Sequence, residues 1–423
     1  MFKQWFHKLF TARTQVDDRP GWQALTSRAH DRDAAEVQAQ YTDALSAWRK
    51  NPIAWRIIAL TADYVVGKSF AIHSPHPPLD DFIRRFWAHP KNHMDLRLAG
   101  MCEELARAGD LFVLLFRNPL DGMSYIRFIT KDCIQRIETS ENDWETELAY
   151  YETRPDSLEP RRWPGPQDPA AESAPAICLH YAVNRPIGAL LGESDLATMI
   201  PWLQRYSRML EDRVRLHWAA RAFLYIVTVP STQVESKAAQ YSTAPESGSI
   251  IVKDEGERWE MVTPALHGAD AGHDMKAVRG LIDAGSGYPP HWRGEGGDVN
   301  LATAEAMQGP PERHLARRQQ YFAYLLQDIL YHAYQRAAAI DKAPPLPGDH
   351  DYTQLFSLAA PDVSLRDNAA LAQAAGQMAA AMASLNATLK DAPPELARLA
   401  AALTLKFAGE PQSDAALERM LGK

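Results

Sequence analysis

The stretch Gly285-Ser286-Gly287-Tyr288-Pro289-Pro290-His291-Trp292-Arg293-Gly294-Glu295-Gly296-Gly297-Asp298-Val299-Asn300 decides how this chain is read. Its five glycines and two prolines predict neither continued helix nor strand. On either side lie segments that read as helix, Ala269–Ala284 and Leu301–Gln308. The expectation is a mobile tip, carried by helices, that presents Trp292 and Arg293 to something that moves.

Upstream, a small β unit precedes the loop, with strands expected at Phe223–Val229, Ile250–Lys253 and Trp259–Val262 around a polar excursion, Ser231–Ser249. Before it, Ser194–Arg221 is the strongest helical pattern in the chain. Leu196, Met199, Leu203, Tyr206, Leu210 and Val214 step by three or four residues, and Pro201 kinks the helix or resets its start. The helix Ala269–Ala284 follows Gly268 and contains Gly272 and Gly280; each helical glycine costs ~1 kcal/mol relative to Ala, so it is expected to depend on packing.

Tyr41–Val183 reads as one α+β domain. Helical periodicity spans Tyr41–Tyr64 with a break at Pro52, then Leu79–Ala88 and Met94–Ala108. Ser69–Ser74, Leu111–Phe116, Ser124–Ile129, Cys133–Thr139, Glu147–Thr153 and Ala176–Tyr181 read as strands, the second and third joined as a hairpin through Asn118-Pro119-Leu120-Asp121-Gly122. Pro155–Pro175, with six prolines, is expected to be a surface loop. Downstream of the quoted stretch, Gly309-Pro310-Pro311 is expected to break the helix, which resumes over Glu312–Ala338 with Leu315, Phe322, Leu325, Leu326, Ile329 and Leu330 on one side. Tyr352–Leu358 reads as a strand, and from Ser364 an Ala-rich helical tail carries six acidic and six basic side chains. Residues Thr11–Gln38 read as a loose polar arm.

The formal charge of −8 argues against a sequence-specific DNA binder that relies on phosphate neutralisation. Residues 224–300 hold eleven acidic and six basic side chains, most of that excess. In a ring, such a wall would repel phosphate and leave only transient contacts. Three scattered cysteines form no CxxC pair and suit a reducing compartment. No apolar run approaches the ~18–20 residues of a membrane span, and Met1–Phe10 is too short for a signal peptide.

The catalytic signals are weak. Gly294-Glu295-Gly296-Gly297 before a helix has the look of a phosphate-cradling loop, but no Lys-Ser or Lys-Thr follows and no apolar strand precedes it. The pairs His73/His76 and His89/His93 lack the cysteine or carboxylate partners of a metal site and read as surface histidines. No GxSxG or HExxH occurs. No enzyme activity and no cofactor or metal are expected. The alternatives kept open are a nucleotide-binding enzyme built on the Gly-rich loop and a membrane-associated scaffold anchored by Met1–Phe10.

The order of these elements resembles the portal proteins of tailed bacteriophages and prophages. Three stretches carry the likeness: Ala108-Gly109-Asp110-Leu111-Phe112-Val113-Leu114 before a hairpin, Leu190-Leu191-Gly192-Glu193-Ser194-Asp195-Leu196 opening a long helix, and Tyr288-Pro289-Pro290-His291-Trp292 followed by Asn300-Leu301-Ala302-Thr303-Ala304-Glu305-Ala306. The resemblance covers roughly residues 41–360. It implies an α+β, portal-like architecture: an arm (1–40), an α/β wing (41–193), a two-helix stem (194–222 and 264–286), a small β clip (223–263), a tunnel loop (287–300), a kinked wing helix and strand (301–363) and an α-helical crown (364–423). It further implies a ring, commonly of twelve, at one capsid vertex of the virion, assembled in the host bacterial cytoplasm. Double-stranded DNA would pass through it without sequence reading, beside a large terminase ATPase, with the major capsid and scaffold proteins and a head-completion adaptor as partners; no membrane is expected.

By the same resemblance, the tunnel loop would line the channel through Tyr288, His291, Trp292, Arg293, Gly294, Glu295, Gly296, Gly297, Asp298 and Asn300. The clip would meet adaptor or terminase through Ser231, Gln233, Glu235, Lys237, Lys253, Glu255 and Glu257. The sequence departs from the family in one respect here: Ser231–Ser249 is polar and holds Pro245, so the clip helix is expected to be short or missing.

Overall fold

A computed structural model describes residues 32–154, 156–221, 224–240, 258–262, 268–294, 300–346 and 355–361, together with residues 373, 376, 377 and 380. The expected strand at Ile250–Lys253 and nearly all of the Ala-rich tail lie outside the described residues.

The chain's first described helices meet at Asn51-Pro52. Asn51 closes α1 (Ala34–Lys50) by donating its backbone N–H to Ala47 O, and its side chain accepts from Ile53 N and Ala54 N to start α2 (Pro52–Val66). Proline at the first helical position sacrifices no intrahelical bond. α1 begins at Ala34, capped by Asp33, so the helix takes over part of the segment expected to be a loose arm. α2, with nine of its fifteen residues buried, packs in the main core with α3 (Pro77–Ala88) and α4 (Met94–Ala108). The four histidines that invited a metal reading serve local backbone geometry or lie near its turns; His89 Nδ1, for example, accepts from Lys91 N at 3.1 Å, and His93 opens α4.

The layer that divides the molecule is a three-stranded antiparallel sheet with β2 (Asp110–Arg117) between β3 (Ser124–Ile129) and β7 (Ala176–Ala182). Side chains alternate across a strand. Leu111, Val113 and Leu115 therefore enter the helical core, while Phe112 and Leu114 enter a second core. That second core is closed by the sheet of β4 (Ile134–Ser140), β5 (Asp143–Arg154) and β6 (Ser157–Pro164), which supplies Ile137, Tyr150 and Trp163. Burial on both faces explains why Leu111–Phe116 is an unbroken apolar run.

β6 corrects the reading of Pro155–Pro175 as a surface loop throughout. Its first half is an edge strand in which Tyr150 faces Trp163, and the pairing shifts register between Glu152 and Arg154, opposite Pro160. Edge strands and irregular pairs tolerate the missing proline N–H. Trp163, buried and donating to Glu152 at 2.7 Å, supplies the packing that turn-prone composition concealed.

α5 (Ile200–Arg221) starts later than its periodicity suggests, because Pro201 falls in its first turn and Ser194–Met199 form tight turns instead. After it come β8 (Leu224–Thr228), a short helix α6 (Val234–Gln240), β9 (Arg258–Val262) paired antiparallel with β8, and α7 (Gly268–Ser286). The helix expected to be short or missing within Ser231–Ser249 is present and seven residues long. α7 packs on α5, and Gly285 lies tight against the turn that leads into α5: a Cβ there would stand 2.9 Å from Met199 Cγ.

α8 (Leu301–Ala338) is one helix of 38 residues that runs through Pro310 and Pro311, against the expected break. Each proline removes one i→i−4 bond, yet Leu315, Phe322, Leu325, Leu326, Ile329 and Leu330 are all buried in the main core, and this stripe holds the helix in place. β10 (Ser357–Ala359) pairs with β1 (Ala71–His73), joining the chain's later part to its beginning. Among the described residues no helix is long and apolar enough to cross a membrane.

The two-faced role of β2 is testable. Phe112→Ala removes a fully buried ring from the second core and should cost ~3–5 kcal/mol in chemical denaturation. Leu158→Ala, on a fully exposed side chain, should change stability by less than ~0.5 kcal/mol.

Candidate functional site

The quoted loop is anchored at both ends. α7 ends at Ser286, with Gly287 at φ 68 donating to Asp283 O, and the Ser286 hydroxyl donating to the same carbonyl. The chain then enters a short 3-10 helix, Pro290–Arg293, closed by Gly294 at φ 97. At the far end Asn300 caps α8 by accepting from Thr303 N at 2.8 Å. Between Gly294 and Asn300, the residues Glu295, Gly296, Gly297 and Asp298 lie outside the described residues.

Trp292 and Arg293 do not occupy a free tip. The Trp292 ring stacks on Tyr64 of α2, 4.6 Å between centroids and 3° from parallel, and also on Tyr288 at 5.9 Å. Tyr288 is buried, and its hydroxyl meets Thr61 Oγ1 at 2.7 Å. Because Thr61 donates to Ile57 O, Tyr288 is the donor of that bond. Burial pushes the Tyr288 phenol well up from its usual range. The Arg293 guanidinium is buried and pairs with Asp283 of α7. His291 is half-buried edge-on to Trp292. Aromatic side chains flanked by two prolines are natural packing anchors, and that reading fits better than a presented surface.

A cleft of roughly 330 Å³ separates the loop base, Ala284–Tyr288, from Glu193–Asp195 and Ala197–Met199 on the way into α5. This second wall is fixed by a close approach of two glycines. A Cβ on Gly192 would sit 2.3 Å from Gly109 O, and one on Gly109 would sit 2.5 Å from the Glu193 backbone. Val183 N donates to Gly109 O, Glu193 N to Val183 O and Asp195 N to Ala106 O. Two of the sequence stretches singled out above, 108–114 and 190–196, are thus in direct backbone contact. Asp195 in turn accepts from Asn184 Nδ2 at 2.6 Å and from Arg318 of α8 at 2.7 Å.

Beneath the glycines lies a buried charge network that the sequence reading missed. Asp110 pairs with Lys131 at 2.6 Å, and Lys131 also donates to Gly192 O and Ala108 O. Asp110 Oδ1 accepts from Gly192 N at 2.7 Å and from His180 Nε2 at 2.9 Å. The other imidazole nitrogen meets Glu147 at 2.8 Å. Carboxylates on both ring nitrogens can only accept, which requires the doubly protonated imidazolium. Burial alone would lower the His180 pKa, but Glu147 and Asp110 outweigh it and raise the value to about 9. Glu147 is likewise held below its usual value, His180 overcoming the effect of burial. Two cations and two carboxylates balance, which is what makes a buried cluster tolerable. The available signal was His180 itself, a polar residue inside the apolar strand Ala176–Tyr181.

Of the residues expected to form a clip contact, Ser231 and Gln233 form a 3-10 turn, and Glu235 and Lys237 lie on α6, all exposed except the half-buried Lys237. Lys253, Glu255 and Glu257 lie outside the described residues. Cys102 and Cys178 are buried free thiols, Cys102 raised by burial to about 12, and Cys133 is free as well. Among the described residues no group of His, Cys, Asp and Glu is placed to hold a metal ion.

No family model matches the sequence, and no curated protein matches it. Solved structures do match. A chain of the virion of the native gene transfer agent (GTA) particle superposes with a TM-score of 0.55 at 14% identity, over 91% of this chain and 95% of that one. A chain from the neck of the native GTA particle, computed with C12 symmetry, gives 0.55 and 14% over 88% and 94%. One from the neck of the empty GTA particle, computed with C6 symmetry, gives 0.55 and 14% over 91% and 95%. At this identity the likeness is one of fold, and it extends over nearly the whole of both chains.

The His180 network carries a pH signature. A pKa raised on folding stabilises fully below the unfolded value of about 6.5 and ceases to do so as pH rises through about 9. Thermal unfolding midpoints should therefore fall between about pH 6.5 and 9.5. His180→Gln should be less stable at about pH 6 and show a flatter profile over that window; an unchanged slope in the variant would assign the pH dependence elsewhere.

Proposed function

We propose that this chain is a portal subunit of a phage-like particle, building a ring at one capsid vertex through which DNA enters and leaves. The observation that carries this is the fold shared with GTA virion and neck chains along about nine-tenths of its length. The C12 symmetry belongs to that neck; carried over, it suggests a ring of about a dozen copies here. Order and position of the elements then give the rest. α5 and α7 would form the stem, 223–263 the clip, 287–300 the tunnel loop and 364–423 the crown. The chain would act as a conduit beside a separate terminase ATPase, with capsid, scaffold and head-completion proteins as partners, in the virion and, during assembly, in the host bacterial cytoplasm.

Two features of the stem support assembly. The apolar stripe of α5 is buried at Ile200 and Leu203 but emerges at Leu210, 39% exposed, and Val214, 57% exposed. α7 adds Leu281, 48% exposed. A stripe that continues past the chain's own core is suited to covering by neighbouring copies.

The anchored geometry revises the part each loop residue would play. Tyr288, Trp292 and Arg293 are the fastening, and Gly294 and Asn300 are the posts. The part offered to the channel would be 295–299, which carries Glu295 and Asp298 and no cation. An acidic, glycine-rich tip would keep phosphate from sticking while allowing close approach.

Deleting Glu295–Asp298 spares the stacked anchor and both posts and should leave ring formation intact. In a particle-forming system, the DNA retained per particle should drop at least ~10-fold, equivalent to ~1.4 kcal/mol if retention behaves as an equilibrium. Normal DNA content in particles built with the deletion would contradict the role given to this loop.

A further inference from the structure

A second cleft, of about 170 Å³, lies far along α8 from the loop, where β2 ends. Two of its lining residues, Arg117 and Arg336, are adjacent guanidiniums. Arg336 is 6% exposed. It donates to Ala171 O at 3.1 Å and to Ala174 O at 2.9 Å, holding the segment after β6 against α8. Arg117 donates to the carbonyl of Arg336 at 3.2 Å and to Glu172 O at 2.9 Å. Every one of these acceptors is a neutral carbonyl.

Full positive charges are thus met only by dipoles. Arg336 Nε is buried and has no hydrogen-bond partner among the described residues. Burial and the neighbouring Arg117 both disfavour the charge on Arg336, bringing its pKa down to about 10, and no carboxylate opposes them. The helix carboxylate about two turns earlier, Asp328, is engaged by Tyr181 at 2.9 Å and by His332 at 3.5 Å. The one acidic residue in the lining, Glu172, is exposed. Like charges held together in a partly dry cleft are costly unless an anion joins them.

We propose that the Arg117–Arg336 cleft is a binding site for a single small oxyanion, either a phosphate group or a carboxylate. Two neighbouring guanidiniums offer the planar, multiple N–H donors that both anions accept from. The volume admits one such group and excludes a nucleotide or a run of nucleic-acid backbone. Gln335 and Ala339, both exposed, stand at the cleft's rim on the same helix end, so an anion can enter without opening a core.

The test uses the full-length chain, with inorganic phosphate and acetate as separate probes against chloride at matched ionic strength. Phosphate or acetate at ~10 mM should raise the thermal midpoint of the wild-type chain by ~2 °C or more, with binding heat detected by calorimetry. Arg336→Gln should lose that response. Because this variant also loses two backbone contacts and could misfold, Ala339→Glu provides a second arm. It places a carboxylate one helical turn from Arg336, and should raise the midpoint without added anion and abolish the response to it. A response to phosphate only assigns a tetrahedral anion, and one to both probes assigns a carboxylate-sized one. No response in the wild-type chain, or equal responses in all three proteins, overturns the proposal.

Discussion

The contact between Gly109 and Gly192 is the constraint on which the rest of the structure depends. Two backbones pass so closely that neither position has room for a methyl group. Around that contact three elements take their direction. α4 ends and β2 begins at Gly109, while the segment after Gly192 turns into α5. Lys131 bridges the carbonyls of Ala108 and Gly192 and the Asp110 carboxylate, so the approach is held by charge as well as by shape. His180 and Glu147 extend the same network to β7 and β5 and thereby tie the central sheet to the sheet of β4, β5 and β6. An α5 that must leave the body in a fixed direction is what a stem helix would require.

Much of the secondary structure was legible because the patterns were long. Met94–Ala108 and Ser124–Ile129 match their expected bounds, and the buried stripe of α8 is the one read from its spacing. What failed did so where tertiary contacts outweigh local preference. Gly309-Pro310-Pro311 reads as a break, yet a helix needs only its remaining hydrogen bonds and a buried face to persist. Pro155–Pro175 reads as loop, yet one buried tryptophan and an edge position make strand of its first half. Pro201 was legible as a boundary but not as to which side of it the helix would lie.

The site was less legible than the fold. The loop was recognisable from five glycines and two prolines, but composition cannot tell whether an aromatic is presented or packed. Its partner Tyr64 lies more than two hundred positions away, and nothing local announces a stack across that separation. The same holds for the charge network: Asp110, Lys131, Glu147 and His180 are ordinary one by one and become a unit only when the sheets fold. Nor does the sequence show why glycine stands at both 109 and 192, because each excludes a side chain on account of the other.

Taken with the likeness to GTA virion and neck chains, the exposed stripe on α5 and the anchored loop make ring assembly the central claim. The most direct measurement is the mass of the purified protein by native mass spectrometry or mass photometry, joined to negative-stain images, with the capsid and scaffold partners supplied if the chain alone stays small. The account predicts a closed ring of about a dozen 47.3 kDa chains around a central hole. A monomer or dimer that persists in the presence of those partners would contradict it.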